Sequence, residues 1–205
     1  MAWWQRTYRR VMYGRPVIVV SGLPRSGTSM MMKMLEAGGV PVWLDGVRTP
    51  DDQNPKGYYE LERVKQLDKG LDKSWVRAGR GRAVKVISSL LEHLPADNNY
   101  LVVFMNRDIH EVLKSQGKML SQRGESGGSA GDDALQTFFE VHLRKVKYFL
   151  AHDPRFSAID VTYTDVLADP DAMARRVCTF LGANLNVAAM VETVDSQLYR
   201  NRRAG

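Results

Sequence analysis

At 205 residues, with a formal net charge of +6 and a single cysteine, the chain is the size of one ordinary domain and long enough to bury a core. One cysteine excludes an internal disulfide framework and a cysteine-based zinc site. Apolar residues make up 44% and charged residues 25%, the balance of a soluble globular protein, and no apolar run approaches the ~20 residues of a membrane span.

The first residues, Met1-Ala2-Trp3-Trp4-Gln5-Arg6-Thr7-Tyr8-Arg9-Arg10, are basic and aromatic but lack the apolar core and small-residue cleavage site of a secretory signal, so a cytoplasmic location is expected. Residues 1–15 read as an arm packed on the domain or on a second copy, where Trp3 and Trp4 would suit a homodimer contact. Peripheral contact with a membrane is the alternative. Strand-like runs follow at Val17–Ser21, Ala83–Ile87, Tyr100–Met105 and Phe156–Val161. Between them lie helical patterns at Thr28–Ala37, Glu60–Asp72, Ile109–Leu120, Asp133–Ala151 and Pro170–Leu181, with a last helix from about Leu185. Asp169 and Pro170 make a good helix opening and Gly182 a C-cap. Trp43–Tyr59 and the Gly/Ser-rich Ser121–Asp132 read as irregular, the second as a candidate acceptor-side lid or a surface loop. This alternation predicts a single α/β domain over residues 1–205, with a central parallel sheet between helical layers and a basic tail at 196–205.

The most informative stretch is Gly22-Leu23-Pro24-Arg25-Ser26-Gly27-Thr28-Ser29, set between the buried run Pro16–Val20 and the helix start Met30-Met31-Met32. Helix-start amides lack partners and carry the positive end of the helix dipole, so such a turn cradles phosphate. The Walker form places Lys after the second Gly. Here Thr28 stands in that place and the cation is Arg25, a poor fit to Mg-ATP hydrolysis. A second anion-binding segment is Asn106-Arg107-Asp108-Ile109-His110-Glu111-Val112-Leu113-Lys114-Ser115, in which Arg107 leaves a strand end and Ser115 lies about two turns into the next helix. Asp108 and Glu111 resemble a capping box. A guanidinium fork and a hydroxyl can converge on one phosphate.

The loop resembles the 5′-phosphosulfate loop of the sulfotransferases, Pro-Lys/Arg-Ser-Gly-Thr-Ser/Thr, and Arg107 with Ser115 resembles that family's 3′-phosphate site, with Asp108-Ile109 in place of Asn-Pro. Val84-Lys85-Val86-Ile87 is similar to the strand that carries a lysine near the transferred group. Tyr163-Thr164-Asp165-Val166-Leu167 with Phe180-Leu181-Gly182 is similar to the segment whose tyrosine lies beside the adenine. The likeness runs from about Val17 to Gly182 and implies the P-loop NTPase-like sulfotransferase fold. It also implies the cofactor 3′-phosphoadenosine 5′-phosphosulfate (PAPS), released as 3′,5′-adenosine bisphosphate (PAP), with no metal required. Pro24, Arg25, Ser26, Gly27, Thr28, Ser29, Arg107, Ser115 and Tyr163 would bind it.

The implied reaction moves a sulfuryl group to a hydroxyl or amine of a small-molecule, sugar or lipid acceptor. Arg25 and Lys85 would stabilise the leaving charge, and Lys85 is the better proton donor because a guanidinium stays charged. The small-molecule relatives place a histidine where Ile87 stands, whereas relatives acting on carbohydrates use a glutamate downstream of the first loop, so the resemblance implies Glu60 as the base, with Glu36 and Glu62 as lesser candidates. His93 and His110 read as surface or packing residues, and the histidines show no metal-ligand spacing. Cys178 reads as a small core residue. The rival readings are a P-loop nucleotide or small-molecule kinase and a non-catalytic phosphonucleotide-binding module. No recognised nucleic-acid motif is present, so no nucleic-acid partner is expected.

Overall fold

The computed structural model describes residues 3–45, 59–70, 72–122 and 132–194. Its strands are β1 (Val17–Gly22), β2 (Ala83–Lys85), β3 (Tyr100–Asn106) and β4 (Phe156–Thr162). All pairings are parallel, in the order β2-β1-β3-β4. The helices are α1 (Trp3–Tyr13), α2 (Thr28–Ala37), α3 (Ile109–Gln122), α4 (Asp132–His152), α5 (Tyr163–Ala168), α6 (Pro170–Leu181) and α7 (Val187–Glu192), with 3₁₀ turns at Glu62–Gln66, Ser74–Gly79 and Ser88–His93.

Strand side chains alternate between faces, and each face has its own core. Val17, Val19, Val84, Tyr100, Val102 and Phe104 pack with Val146 and Leu150 of α4 and with the 3₁₀ turns. Val20, Val103, Met105 and Val161 pack with the methionine-rich face of α2 and with α6 and α7. The result is the expected α/β/α layering of a four-stranded parallel sheet. No helix among the described residues is long and apolar enough to cross a membrane.

Two helix ends follow the sequence signals. The Asp169 carboxylate accepts from Ala172 N at 2.9 Å, and Gly182 closes α6 at φ 61°. Three stretches differ. Glu60–Asp72 is not an α-helix but a 3₁₀ turn at Glu62–Gln66, because its buried residues Leu61, Val64 and Leu67 recur every third position, the 3₁₀ period rather than 3.6. Residues 3–13 form a helix where an arm is expected. It is fixed by Arg9, whose guanidinium donates to Asn99 Oδ1 at 2.9 Å and Asn98 O at 2.7 Å. β2 stops at Lys85, two residues before the expected Ile87. The irregular segments 46–58 and 123–131, the tail from 195 onward, and the side chains of Trp3 and Trp4 lie outside the described residues.

Candidate active site

The parallel register brings the sequence candidates to one edge. Gly22, the last residue of β1, pairs with Met105 of β3, so the loop at 22–29 and Arg107 emerge side by side. Asn106 pairs with Thr162, which sets Arg107 beside Tyr163, and Val20 pairs with Lys85 on the other flank. The four C-terminal strand ends thus each deliver one candidate: Lys85, the loop, Arg107 and Tyr163. The chain turns to β2 on one side of β1 and to β3 and β4 on the other, and such a switch point is where open parallel sheets bind ligands.

The loop's backbone requires its glycines. A Cβ on Gly22 would lie 2.5 Å from Ser26 Oγ and 2.6 Å from Met105 O. Gly27 caps α2 at φ 97°, and a Cβ there would lie 2.5 Å from Cδ2 of Tyr163. No side chain caps α2, and Met31 N to Gly27 O at 3.1 Å is the bond that closes its first turn. The amides ahead of Met31 are those an anion takes up at a helix start. Ser26 is 1% exposed and its Oγ has no hydrogen-bond partner, a costly arrangement for a buried hydroxyl unless a ligand oxygen completes it. Arg25 takes the left-handed conformation at φ 69°, a strained state for a non-glycine residue. Cramped glycines, an orphaned hydroxyl and an uncapped helix start together fit a bound phosphate.

The cations converge with the loop. Arg25 Nε donates to Ser115 Oγ at 2.9 Å, and Arg107 Nη1 donates to Arg25 O at 3.1 Å. The Arg107 guanidinium also lies 4.3 Å from the centre of the Tyr163 ring, in cation–π contact. Arg25, Arg107, Ser115 and Tyr163 therefore form one contiguous cluster beside the loop. Arg107 Nε pairs with Glu111 Oε2 at 2.9 Å, with the two side chains 8% and 5% exposed. Glu111 N donates to Asp108 Oδ1 at 3.2 Å, the cap that the sequence signal anticipates. Stacking and a carboxylate fix the guanidinium in one orientation. The i,i+4 spacing of Arg107 and Glu111 is the sequence signal for that pair.

On the β2 flank, Lys85 Nζ lies 3.4 Å from Ser29 Oγ and 3.5 Å from Glu60 Oε1, with the lysine side chain 11% exposed. Lys65 Nζ lies 3.3 Å from the other oxygen of Glu60. Of the lesser carboxylates, Glu36 accepts the Tyr59 hydroxyl at 2.6 Å and Glu62 pairs with Lys65 at 2.6 Å. Glu60 alone of the three carries an ion pair to Lys85. Ile87 and His110 are exposed, and Cys178 is half-buried with Sγ 3.9 Å from Met190 Sδ, at the margin of the core rather than inside it. Sequence reasoning missed the pair Ser88 Oγ to His142 Nε2 at 2.8 Å, which joins residues 54 apart with no spacing signal.

Comparison with known proteins gives two kinds of likeness. Among curated proteins, several mycobacterial ones named as O-methyltransferases match over 137 residues. One, from Mycobacterium avium, is 29% identical over 59% of this chain, and one from Mycobacterium tuberculosis is 28% identical. The chain spans about 59% of the length of the curated relatives it matches. Among solved structures, the sulfotransferase STF1 of Mycobacterium tuberculosis superposes with a TM-score of 0.60 at 19% identity, covering 96% of this chain and 76% of that one. The sulfotransferase domain of the curacin biosynthetic pathway gives 0.55 at 15% identity, over 90% and 79% of the two chains. A retinol dehydratase solved with retinol and PAP gives 0.51 at 19%, over 96% and 71%. These likenesses establish the fold. Residues 82–186, half of the chain, match the model of the sulfotransferase family, and the chain belongs to that family.

Proposed function

We propose that the protein is a PAPS-dependent sulfotransferase acting on a hydroxyl or amine acceptor. The observation that carries the reading is the position of Lys85 Nζ, within 3.5 Å of both the loop hydroxyl of Ser29 and the carboxylate of Glu60. In this reading the amides of the loop and the hydroxyls of Ser26, Thr28 and Ser29 bind the 5′ end, with Pro24 and Gly27 shaping the turn. Arg107 and Ser115 bind the 3′-phosphate and Tyr163 flanks the adenine. When bound, PAPS supplies an activated sulfuryl group. Lys85 and Arg25 hold positive charge where the leaving oxygen becomes anionic, and Lys85 holds the transferable proton. Glu60 takes the proton of the acceptor. Two cations and a set of oriented donors do most of the work in such in-line transfers, by positioning and field.

Turnover is read as PAP released from PAPS in the presence of a mixed panel of 2-naphthol, 1-octanol, methyl glucoside and tyramine. Glu60→Gln and Lys85→Ala each lower turnover and leave PAP affinity within about threefold, a change under ~1 kcal/mol. Unchanged turnover in both variants refutes the assigned roles. The names of the mycobacterial relatives point instead to O-methyl transfer. That chemistry uses a cationic sulfonium donor, for which a loop carrying Arg25, with Lys85 on its flank, is a poor electrostatic match. Binding of S-adenosylmethionine in preference to PAP would favour it.

A further inference from the structure

Tyr59, immediately before Glu60, holds a backbone conformation that a tyrosine adopts only under constraint, φ 51°. The constraint is visible. Its hydroxyl donates to Glu36 Oε2 at 2.6 Å, and its ring packs against the core formed by α2, α6 and α7. Burial, together with the Glu36 carboxylate, pushes the phenol well above its ordinary pKa, so it remains a donor through the neutral range. Glu36 lies in the last turn of α2, the helix whose first turn forms the loop at 27–29. One rigid helix therefore carries the anion loop at its start and the anchor of Tyr59 at its end. Downstream, Asp45 N donates to Glu60 O at 3.4 Å and Glu62 N donates to Asp45 Oδ2 at 2.6 Å, so the backbone on both sides of Glu60 is tied.

We propose that the Tyr59–Glu36 bond is a latch that positions the Glu60 carboxylate against Lys85, making Tyr59 a positioning residue that acts through Glu60. The inference rests on the reading of Glu60 as the acceptor's base. Strained backbone held by side-chain contacts is a recognised way to aim a functional group. An aim error of about 1 Å costs on the order of a hundredfold in rate. In this reading Glu36, at the far end of α2 from the loop, serves as the anchor of the latch and not as the base.

The test uses the full chain, PAPS and the panel of four acceptors. Tyr59→Phe, which keeps the ring and the packing, lowers kcat about tenfold to a hundredfold with the KM for PAPS unchanged within about threefold. Glu36→Gln, which keeps an acceptor for the phenol, retains most of kcat, whereas Glu36→Ala falls with Tyr59→Phe. In a Glu60→Gln background, Tyr59→Phe has no further effect, because the latch acts only through that carboxylate. Wild-type kcat in Tyr59→Phe, or a full additional loss in the Glu60→Gln background, overturns the latch and leaves the functional reading standing. A wild-type chain that binds PAP but releases none from PAPS with any acceptor removes the catalytic reading, and the latch with it.

Discussion

Replacing Arg107 with alanine removes a guanidinium that makes three contacts at once: to Glu111 Oε2 at 2.9 Å, to Arg25 O at 3.1 Å and to the Tyr163 ring at 4.3 Å. Two consequences separate. Folding suffers because Glu111, 4% exposed, is left as a buried carboxylate with its ion pair broken, a loss of about 3–5 kcal/mol for pairs of this kind. If Arg107 holds the 3′-phosphate as proposed, ligand binding suffers by the charge-assisted bonds, about 1.5–3 kcal/mol, or roughly a tenfold to 150-fold weaker Kd. The double variant Arg107→Ala/Glu111→Ala also removes the carboxylate whose ion pair was broken and recovers part of the stability, yet keeps the binding defect. Calorimetric titration with PAP and with 5′-AMP reads the second effect and urea unfolding the first. PAP affinity falls tenfold or more in both variants, while 5′-AMP, which has no 3′-phosphate, changes by less than about threefold. An equal loss for both nucleotides, or recovery of PAP affinity in the double variant, refutes the role given to Arg107.

Gly27→Ala strains a residue held at φ 97° and drives a methyl to 2.5 Å from the Tyr163 ring, so it destabilises by about 1–3 kcal/mol and weakens PAP binding. Urea midpoints and calorimetry check both effects. Arg25→Lys keeps a charge but loses the Nε donated to Ser115 at 2.9 Å, so PAP affinity falls by several-fold while the fold holds, as thermal melts would show. His142 is neutral at pH 7, because burial lowers its pKa against the opposing pull of Glu92. The unfolded chain then takes up a proton near pH ~6.5 that the folded one resists, so stability falls as pH drops through that value and levels off below the folded pKa. Urea unfolding at pH 7.5 and 5.5 shows this loss, and His142→Gln flattens it. A wild-type profile with no slope between those pH values contradicts the sign.

The parts of the site fixed by local chemistry were legible in the sequence. Gly22, Gly27 and the apolar run before them specify a strand, a tight turn and a helix whatever the rest of the chain does. Arg107 at a strand end and Ser115 eight residues on specify a helix that carries the hydroxyl back toward the strand edge. The meeting of these two segments depends on β1 and β3 being neighbours, a non-local pairing that the βα alternation does not specify and that only the family resemblance implied. What stayed hidden depended on contacts between distant residues. Arg25 reaches Ser115 across 90 positions, and Tyr59 reaches Glu36 from an irregular segment whose backbone sign no pattern announces. The region after Glu60 misled because Leu61, Val64 and Leu67 satisfy a helical stripe as well as a 3₁₀ one over so short a span. The first helix was missed because its residues read as charge and aromatics, while its fixing contact, Arg9 to Asn98 and Asn99, joins elements 89 and 90 positions apart.

The proposed site, with one set of groups for the 5′ end and another for the 3′-phosphate, predicts a choice between nucleotides that can be measured without any acceptor being known. Titration with PAP in the presence of EDTA, set beside ATP with magnesium and 5′-AMP, gives tight metal-independent binding of PAP, with both other nucleotides at least about tenfold weaker. Preference for Mg-ATP, or PAP binding no tighter than 5′-AMP, would contradict a site built for a doubly phosphorylated sulfuryl donor.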